Sequence, residues 1–178
     1  GIIAWGAVID LVVIDKIVGR YTPKIQRKQT ANTIENIPAI NKVLTLFIAG
    51  IFSIVIAVCF LWIFGAELPT ILSMTTKSIT APIAIITSQQ IGAIPSLAVG
   101  FVLIAGIIGA LFGTMVFKFM KIKHDTSKGF ALGLVSHGIG TARAIEISEK
   151  AGAFSALAMG LSGIFTAIFL PMIITFFK

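Results

Sequence analysis

The chain has 178 residues, of which 57% are hydrophobic and only 12% are charged. Soluble globular proteins are roughly 45–50% apolar and 25% charged, so this composition excludes an ordinary water-soluble domain. The net charge of +7 would suit nucleic acid in a soluble protein, but here the basic residues flank apolar stretches, as the positive-inside rule describes. The sequence therefore predicts an integral membrane protein without a nucleic-acid partner.

Residues 1–42 are predicted to form an apolar segment followed by a basic cytoplasmic connector. The apolar part, residues 1–19, is interrupted by Asp10 and Asp15. Residues 20–42 are polar and basic and contain two prolines, a composition typical of a connector. The first residues have neither a basic start nor a small-residue cleavage site, so no cleavable signal peptide is expected.

Three stretches without charged residues predict the membrane helices: residues 43–66, 78–117 and 151–177. A helix needs about 20 apolar residues to cross the hydrocarbon core. The second stretch is too long for one helix and must contain a turn, so full spans are expected at 43–65, 94–118 and 151–177. The single cysteine, Cys59, excludes a disulfide within the chain and is interpreted as a small apolar filler.

Two further apolar segments carry polar residues, glycine or proline in their middle. In residues 70–91 we expect the helix to break near Pro82, because proline lacks a backbone donor and disfavours helix at the preceding residue. In residues 129–150, Gly138 and Gly140 lie within the string SHGIG and predict a second break. A broken helix followed by a full span thus occurs twice, in residues 70–118 and 129–177.

An internal comparison supports this repeat. A shift of 60 residues pairs identical residues at six positions: Ser88 with Ser148, Gly92 with Gly152, Ala93 with Ala153, Leu97 with Leu157, Ala98 with Ala158, and Gly100 with Gly160. If the basic loops 20–42 and 118–128 both face the cytoplasm, segment 70–91 must re-enter, and the two units have opposite orientations. The predicted fold is an all-α polytopic membrane protein with two inverted repeats, a pattern of secondary transporters.

The span at 94–118 also contains Gly109 and Gly113 in a GxxxG spacing. Small residues at this spacing let two helix backbones approach closely. The motif predicts close packing but does not identify the partner helix.

Polar residues around the two breaks define a candidate site. Lys77 and Arg143 are basic residues within apolar segments, where charges usually face a cavity and serve function. Broken helices also expose backbone N–H groups and the positive end of a helix dipole, so a small carboxylate is the expected ligand. The predicted substrate-binding residues are Thr80, Ser136, His137, Thr141 and Arg143, with Glu146 and Lys77 as candidates for coupling.

Four of these residues also have a structural interpretation. Arg143 and Glu146 are three residues apart and fit a helix-end ion pair near the surface. His137 fits a packing histidine whose hydrogen bonds are satisfied. Lys77 fits a residue that reaches the membrane surface with its ammonium group.

The sequence contains no motif that would indicate a catalytic or metal site. The string Gly160–Gly163 (GLSG) lacks the spacing of a GxSxG nucleophile turn, and neither histidine belongs to an HExxH motif. Two histidines and one cysteine do not suggest a familiar zinc site. We therefore expect neither an enzyme nor a cofactor.

Several strings resemble the LrgB/CidB (antiholin-like) family of membrane proteins. They are KSITAPIA (77–84), IGAIP (91–95), KGFALG (128–133), SHGIGTARAIE (136–146) and GAFS (152–155). The resemblance covers about residues 43–178, and residues 1–42 depart from the family pattern. It implies a multi-pass protein of the bacterial cytoplasmic membrane, often encoded beside a holin-like LrgA/CidA partner.

The resemblance implies two functions. One is transport of small monocarboxylates such as glycolate, glycerate or pyruvate, with proton coupling left open, and the predicted anion site favours it. The other is control of murein hydrolase export and cell lysis together with the holin-like partner. A regulator of this kind should tolerate replacement of Arg143 but not changes around Gly109 and Gly113. A non-selective pore is a third alternative, and a homo-oligomer is expected.

Overall fold

A computed structural model describes the backbone of residues 39–176 and the side chains of residues 48 and 50–176. The predicted N-terminal segment and most of the basic connector lie outside the described residues. The part described is all-helical. Its helices are α1 (Ala39–Ile63), α2 (Leu68–Thr75), α3 (Ala81–Ile91), α4 (Pro95–Phe119), α5 (Asp125–Ile147) and α6 (Glu149–Phe176).

Within residues 39–176, α4 and α6 are long and apolar enough to cross a membrane. They contain 25 and 28 residues, which correspond to about 38 and 42 Å of helix, against a hydrocarbon core of about 30 Å. Their outward faces remain apolar, as at Leu111 and Ile164, which are both more than 60% exposed. The two helices begin and end within two residues of the predicted spans.

The first predicted break lies between α2 and α3. The two helices are separated by residues 76–80, and Pro82 occupies the first turn of α3. A proline in the first helical turn removes no intrahelical hydrogen bond, so it starts α3 and does not kink it. The break therefore comes a few residues earlier than the proline.

The chain reverses direction at this break. The backbone N–H of Ile94 donates to Ser73 Oγ over 2.9 Å, although 21 residues separate them. In a straight helix they would lie about 32 Å apart. Thus α3 runs back along the path of α2, and the two helices form a hairpin that leads into α4.

The second predicted break lies at His137, within α5. His137 has φ 46° and ψ −124°, which is incompatible with a continuous helix. A Cβ on Gly140 would overlap the backbone oxygen of Leu132. Because eight residues of straight helix span about 12 Å, this proximity shows that the chain folds back. We call the two halves α5a (residues 125–136) and α5b (residues 138–147).

After the second hairpin, α6 runs parallel to α5a. A Cβ on Gly129 would overlap the backbone of Ala151, and one on Gly133 would overlap the backbone of Ser155. The pairing advances in the same direction along both helices. These glycines let α5a and α6 touch backbone to backbone, which buries α5a.

Helix α4 packs against α5a in the opposite direction. Gly109 faces Ser136, and Gly113 faces Leu132. The GxxxG spacing thus has its partner within the chain, and α4 is antiparallel to α5a and hence to α6. This packing encloses an apolar core that includes Phe117 and Leu132.

Candidate functional site

The two helix breaks meet in the interior of the described fold. The imidazole of His137, in the second break, interacts with the backbone of Lys77, in the first. The middle of α6 joins them, because Ser162 Oγ donates to the carbonyl oxygen of Ser78 over 3.0 Å. We call the buried polar residues of this region the central cluster: Ser53, Lys77, Ser78, Ser136, His137 and Ser162.

Two unusually buried segments carry these residues inward. Residues 71–79 and residues 129–137 are buried without interruption. The first segment includes the last part of α2 and the turn that follows, and the second consists of the last eight residues of α5a and His137. Each of the two buried segments thus carries a polar break into the interior of the described fold.

Lys77 brings a basic group into this interior. Its side chain is 2% exposed, and Nζ donates to Ser53 Oγ over 2.5 Å and to Ser78 Oγ over 3.4 Å. The ammonium therefore lies among buried hydroxyl groups and does not reach the surface. A cation taken out of water needs such polar contacts to offset its lost hydration.

His137 and Ser136 have unused hydrogen-bonding capacity. His137 is 4% exposed and Ser136 is fully buried. Among the described residues, neither His137 Nε2 nor Ser136 Oγ has a hydrogen-bond partner. Leaving a buried polar atom unpaired costs about 1–3 kcal/mol, so the pair points to a bound partner such as a ligand or water. Within the described residues the imidazole of His137 is thus only partly hydrogen-bonded.

Helix N-termini add a positive field to the cluster. Helix α3 begins directly after the first break, and Thr80 at its N-cap makes no side-chain capping hydrogen bond. The half-helix α5b begins directly after His137. The free N–H groups and the dipoles of two helix starts favour a negatively charged ligand.

Thr141 holds the second break in shape. Its Oγ1 donates to the carbonyl oxygen of His137 over 2.8 Å and lies 2.9 Å from Ser155 Oγ. The first contact is the bond that a threonine hydroxyl commonly makes to the carbonyl one helical turn before it. Thr141 therefore positions His137, and its hydroxyl is already engaged.

Arg143 lies apart from the central cluster. Its side chain is 43% exposed and pairs with Glu146, whose side chain is 62% exposed. Both residues are on the open side of α5b, and Arg143 is about 9 Å of helix beyond His137. The structure thus brings Lys77, Ser136 and His137 together, places Thr80 and Thr141 at the edges of the breaks, and keeps Arg143 and Glu146 outside.

Three members of the cluster were not among the predicted site residues. Ser53 and Ser162 lie within largely apolar helices, and their only sequence signal is a polar residue in an apolar stretch. Ser78 is an uncharged residue beside Lys77, in a run that contains several other hydroxyl side chains. That signal is weak, because a hydroxyl can also bond to the preceding turn of its own helix.

The apolar helices and the buried polar centre define a helical membrane protein. A family profile described as "LrgB-like family" matches residues 29–176. The chain belongs to this family, as the sequence motifs predicted.

Similarity to individual proteins agrees with this family assignment. The chain is 37% identical over 114 residues to "Uncharacterized protein YxaC" of Bacillus subtilis, which covers 64% of this chain and 50% of that protein. It is 31% identical over 148 residues to "Holin-like protein CidB" of Staphylococcus epidermidis, with 80% and 65% covered. For the Staphylococcus aureus protein of the same name the identity is 32% over 114 residues, with 64% and 50% covered.

The chain therefore spans about half to two thirds of the length of these relatives. No solved structure matches the chain.

Proposed function

We propose that this chain forms the substrate-binding part of a secondary transporter for small monocarboxylates of the glycolate, glycerate or pyruvate type, without catalytic activity of its own. The observation that carries the proposal is the central cluster, in which buried His137 Nε2 and Ser136 Oγ have no hydrogen-bond partner within the described part of the chain and lie close to a buried lysine. A small anion would accept a hydrogen bond from the Ser136 hydroxyl, and from His137 once Nε2 is protonated, and it would supply the negative charge.

The helix directions support an inverted-repeat transporter. Each full-length apolar helix follows a helical hairpin, and α4 and α6 are antiparallel. Two hairpins whose tips meet beside antiparallel spans correspond to the discontinuous helices at which secondary transporters bind substrate. On this proposal the protein crosses the bacterial cytoplasmic membrane several times and works as a homo-oligomer.

The proposed substrate contacts are those of the two breaks. Ser136 and His137 would bind the carboxylate in the interior, and Thr80 and Thr141 would line the site next to them. Arg143, on the exposed side of α5b, would meet the anion on its way to the cluster, with its guanidinium presented by Glu146. The lipid bilayer and the carboxylate are then the main partners.

Uptake by the full-length protein in proteoliposomes tests this function. We expect saturable uptake of labelled glycolate or pyruvate under an imposed pH gradient, and a several-fold loss in Arg143→Ala. Lys121→Ala, a change to an exposed lysine in the loop before α5, is the matched control. Absence of uptake by folded wild-type protein would refute the transport function, and uptake without saturation would indicate a pore.

A second candidate function follows from the relatives named "Holin-like protein CidB". In this proposal the chain is an antiholin-like regulator that binds a holin-like LrgA/CidA partner and controls murein hydrolase export and lysis. Co-purification of such a partner from membranes, together with normal lysis control by Arg143→Ala, would favour it over transport.

A further inference from the structure

We propose that His137 and Lys77 act as one unit that binds a carboxylate and a proton together, with His137 Nε2 as the atom that takes up the proton. This inference rests on the proposed transport function and specifies how the same site is coupled. It concerns the interior of the fold and needs no contribution from Arg143.

The contacts of His137 determine which nitrogen is the base. One ring nitrogen interacts with the backbone of Lys77. Because Nε2 has no partner among the described residues, the nitrogen that makes this contact is Nδ1. A neutral imidazole that donates through Nδ1–H to a carbonyl carries its lone pair on Nε2. The free lone pair thus lies in a buried position, where it can accept a proton that enters with a ligand.

The charges around His137 are few. Within the described side chains, the charged group that acts on it is the ammonium of Lys77, at the first break. Helices α1 and α3 contribute no charged side chain in their described parts. The remaining charges of the elements packed against His137 lie toward helix ends: Lys118 on α4, Glu149 and Lys150 on α6, and Asp125, Lys128, Arg143 and Glu146 on α5.

This arrangement makes anion and proton binding cooperative. Loss of hydration in the interior is the main effect that disfavours a charged imidazole in the empty site, and repulsion by the Lys77 ammonium adds to it. A carboxylate placed against both groups attracts both, which favours the protonated ring and gives Nε2–H an acceptor. By linkage, a proton that favours anion binding is itself bound more tightly when the anion is present.

Coupling of this kind has a consequence for transport. One carboxylate and one proton together carry no net charge. Moving a single charge against a membrane potential costs about 2.3 kcal/mol per 100 mV. A carboxylate that crosses together with a proton is neutral and does not have this electrical cost. The protein with both ligands bound would then change between its outward-open and inward-open states without moving the ligands' net charge through the membrane potential.

The test counts the protons that accompany binding. Pyruvate is titrated into the full-length purified protein by calorimetry at pH 7.5, in two buffers with different ionisation enthalpies. We expect wild type to take up about one proton per pyruvate, because His137 is neutral before binding and charged after it. His137→Gln should bind pyruvate with about zero protons, and Lys77→Met should weaken binding about tenfold or more, which corresponds to 1.4 kcal/mol. Lys121→Gln is the control and should match wild type.

Two results would overturn the inference: pyruvate binding by wild type without proton uptake, or an unchanged proton count in His137→Gln. Should either variant fail to fold, nitrogen NMR of the wild-type imidazole decides, because pyruvate must convert Nε2 from an unprotonated to a protonated state. If wild type neither binds nor transports any of the three carboxylates, the proposed function itself fails. Binding and transport with an unaltered proton count refute the coupling alone.

Discussion

The hydroxyl of Ser162 donates a hydrogen bond of 3.0 Å to the carbonyl oxygen of Ser78, although 84 residues separate them. Ser162 lies in the middle of α6, and Ser78 lies in the turn between α2 and α3. The contact satisfies a carbonyl that lies outside any helix, between two buried residues. One side chain of α6 thus holds the break between α2 and α3.

We predict that Ser162→Ala lowers the free energy of unfolding by about 1–3 kcal/mol, because the Ser78 carbonyl loses its partner in a buried place. Thermal unfolding of the purified protein in detergent measures the change. Ser96→Ala, which alters an exposed serine in the first turn of α4, is the matched control and should stay within about 0.5 kcal/mol of wild type. Equal melting temperatures for the two variants would contradict the prediction.

The hairpin of α5 depends on close backbone contact with α6, and Gly133 tests it. Gly133→Ala should destabilise the protein by about 1–3 kcal/mol or prevent folding, since its Cβ would overlap the backbone of Ser155. Gly160→Ala is the comparison, because a Cβ there meets nothing within 4 Å. Alanine is favoured over glycine inside a helix, so Gly160→Ala should leave the melting temperature unchanged or raise it. A similar loss in both variants would show that the backbone contact is not the cause.

The sequence predicts the spans at 94–118 and 151–177 to within two residues, and it predicts a break close to each observed one, because both features are local signals. A run of apolar residues indicates a span whatever surrounds it, and the glycines at 138 and 140 lie next to the residue where α5 turns. Pro82 illustrates the limit of such signals. It indicates a break nearby, but the same residue suits the first turn of a new helix, and the turn lies before it.

Which residues form the site depends on contacts between distant segments, and a local sequence pattern does not predict such contacts. Lys77 and Arg143 look alike in sequence, since each is a basic residue in an apolar segment. Packing decides between them: α1 and the second break enclose Lys77, whereas α5b leaves Arg143 on its open side. Ser53 and Ser162 become part of the site only because their helices are brought beside the breaks.

Gly109 and Ser136 form a second testable pair. A Cβ on Gly109 would overlap Ser136 Oγ, and the Ser136 Cβ is 3.4 Å away. Gly109→Ala alone should cost about 1–3 kcal/mol by overpacking. Adding Ser136→Ala should recover most of that loss, because the overlapping atom is removed. Ser136→Ala alone should be tolerated, since its hydroxyl has no hydrogen-bond partner among the described residues.

A double-mutant cycle from melting curves gives the coupling between the two positions. Additive losses would show that Gly109 does not face Ser136. The cycle also bears on the regulator proposal, which expects sensitivity at Gly109 through an external partner. Rescue by Ser136→Ala would locate that sensitivity inside the chain.

Substitution of Arg143 distinguishes an effect on stability from an effect on carboxylate uptake. Its ion pair with Glu146 is exposed on α5b, and exposed pairs contribute about 0–1 kcal/mol. Arg143→Ala should therefore change the melting temperature little, while the transport proposal expects a several-fold loss of carboxylate uptake. Glu146→Gln breaks the same pair but keeps the guanidinium, so it should retain more uptake than Arg143→Ala at equal stability. If the two variants lose uptake equally, the ion pair matters as a unit. Unchanged uptake in both would confine the substrate site to the central cluster, where Lys77 supplies the positive charge.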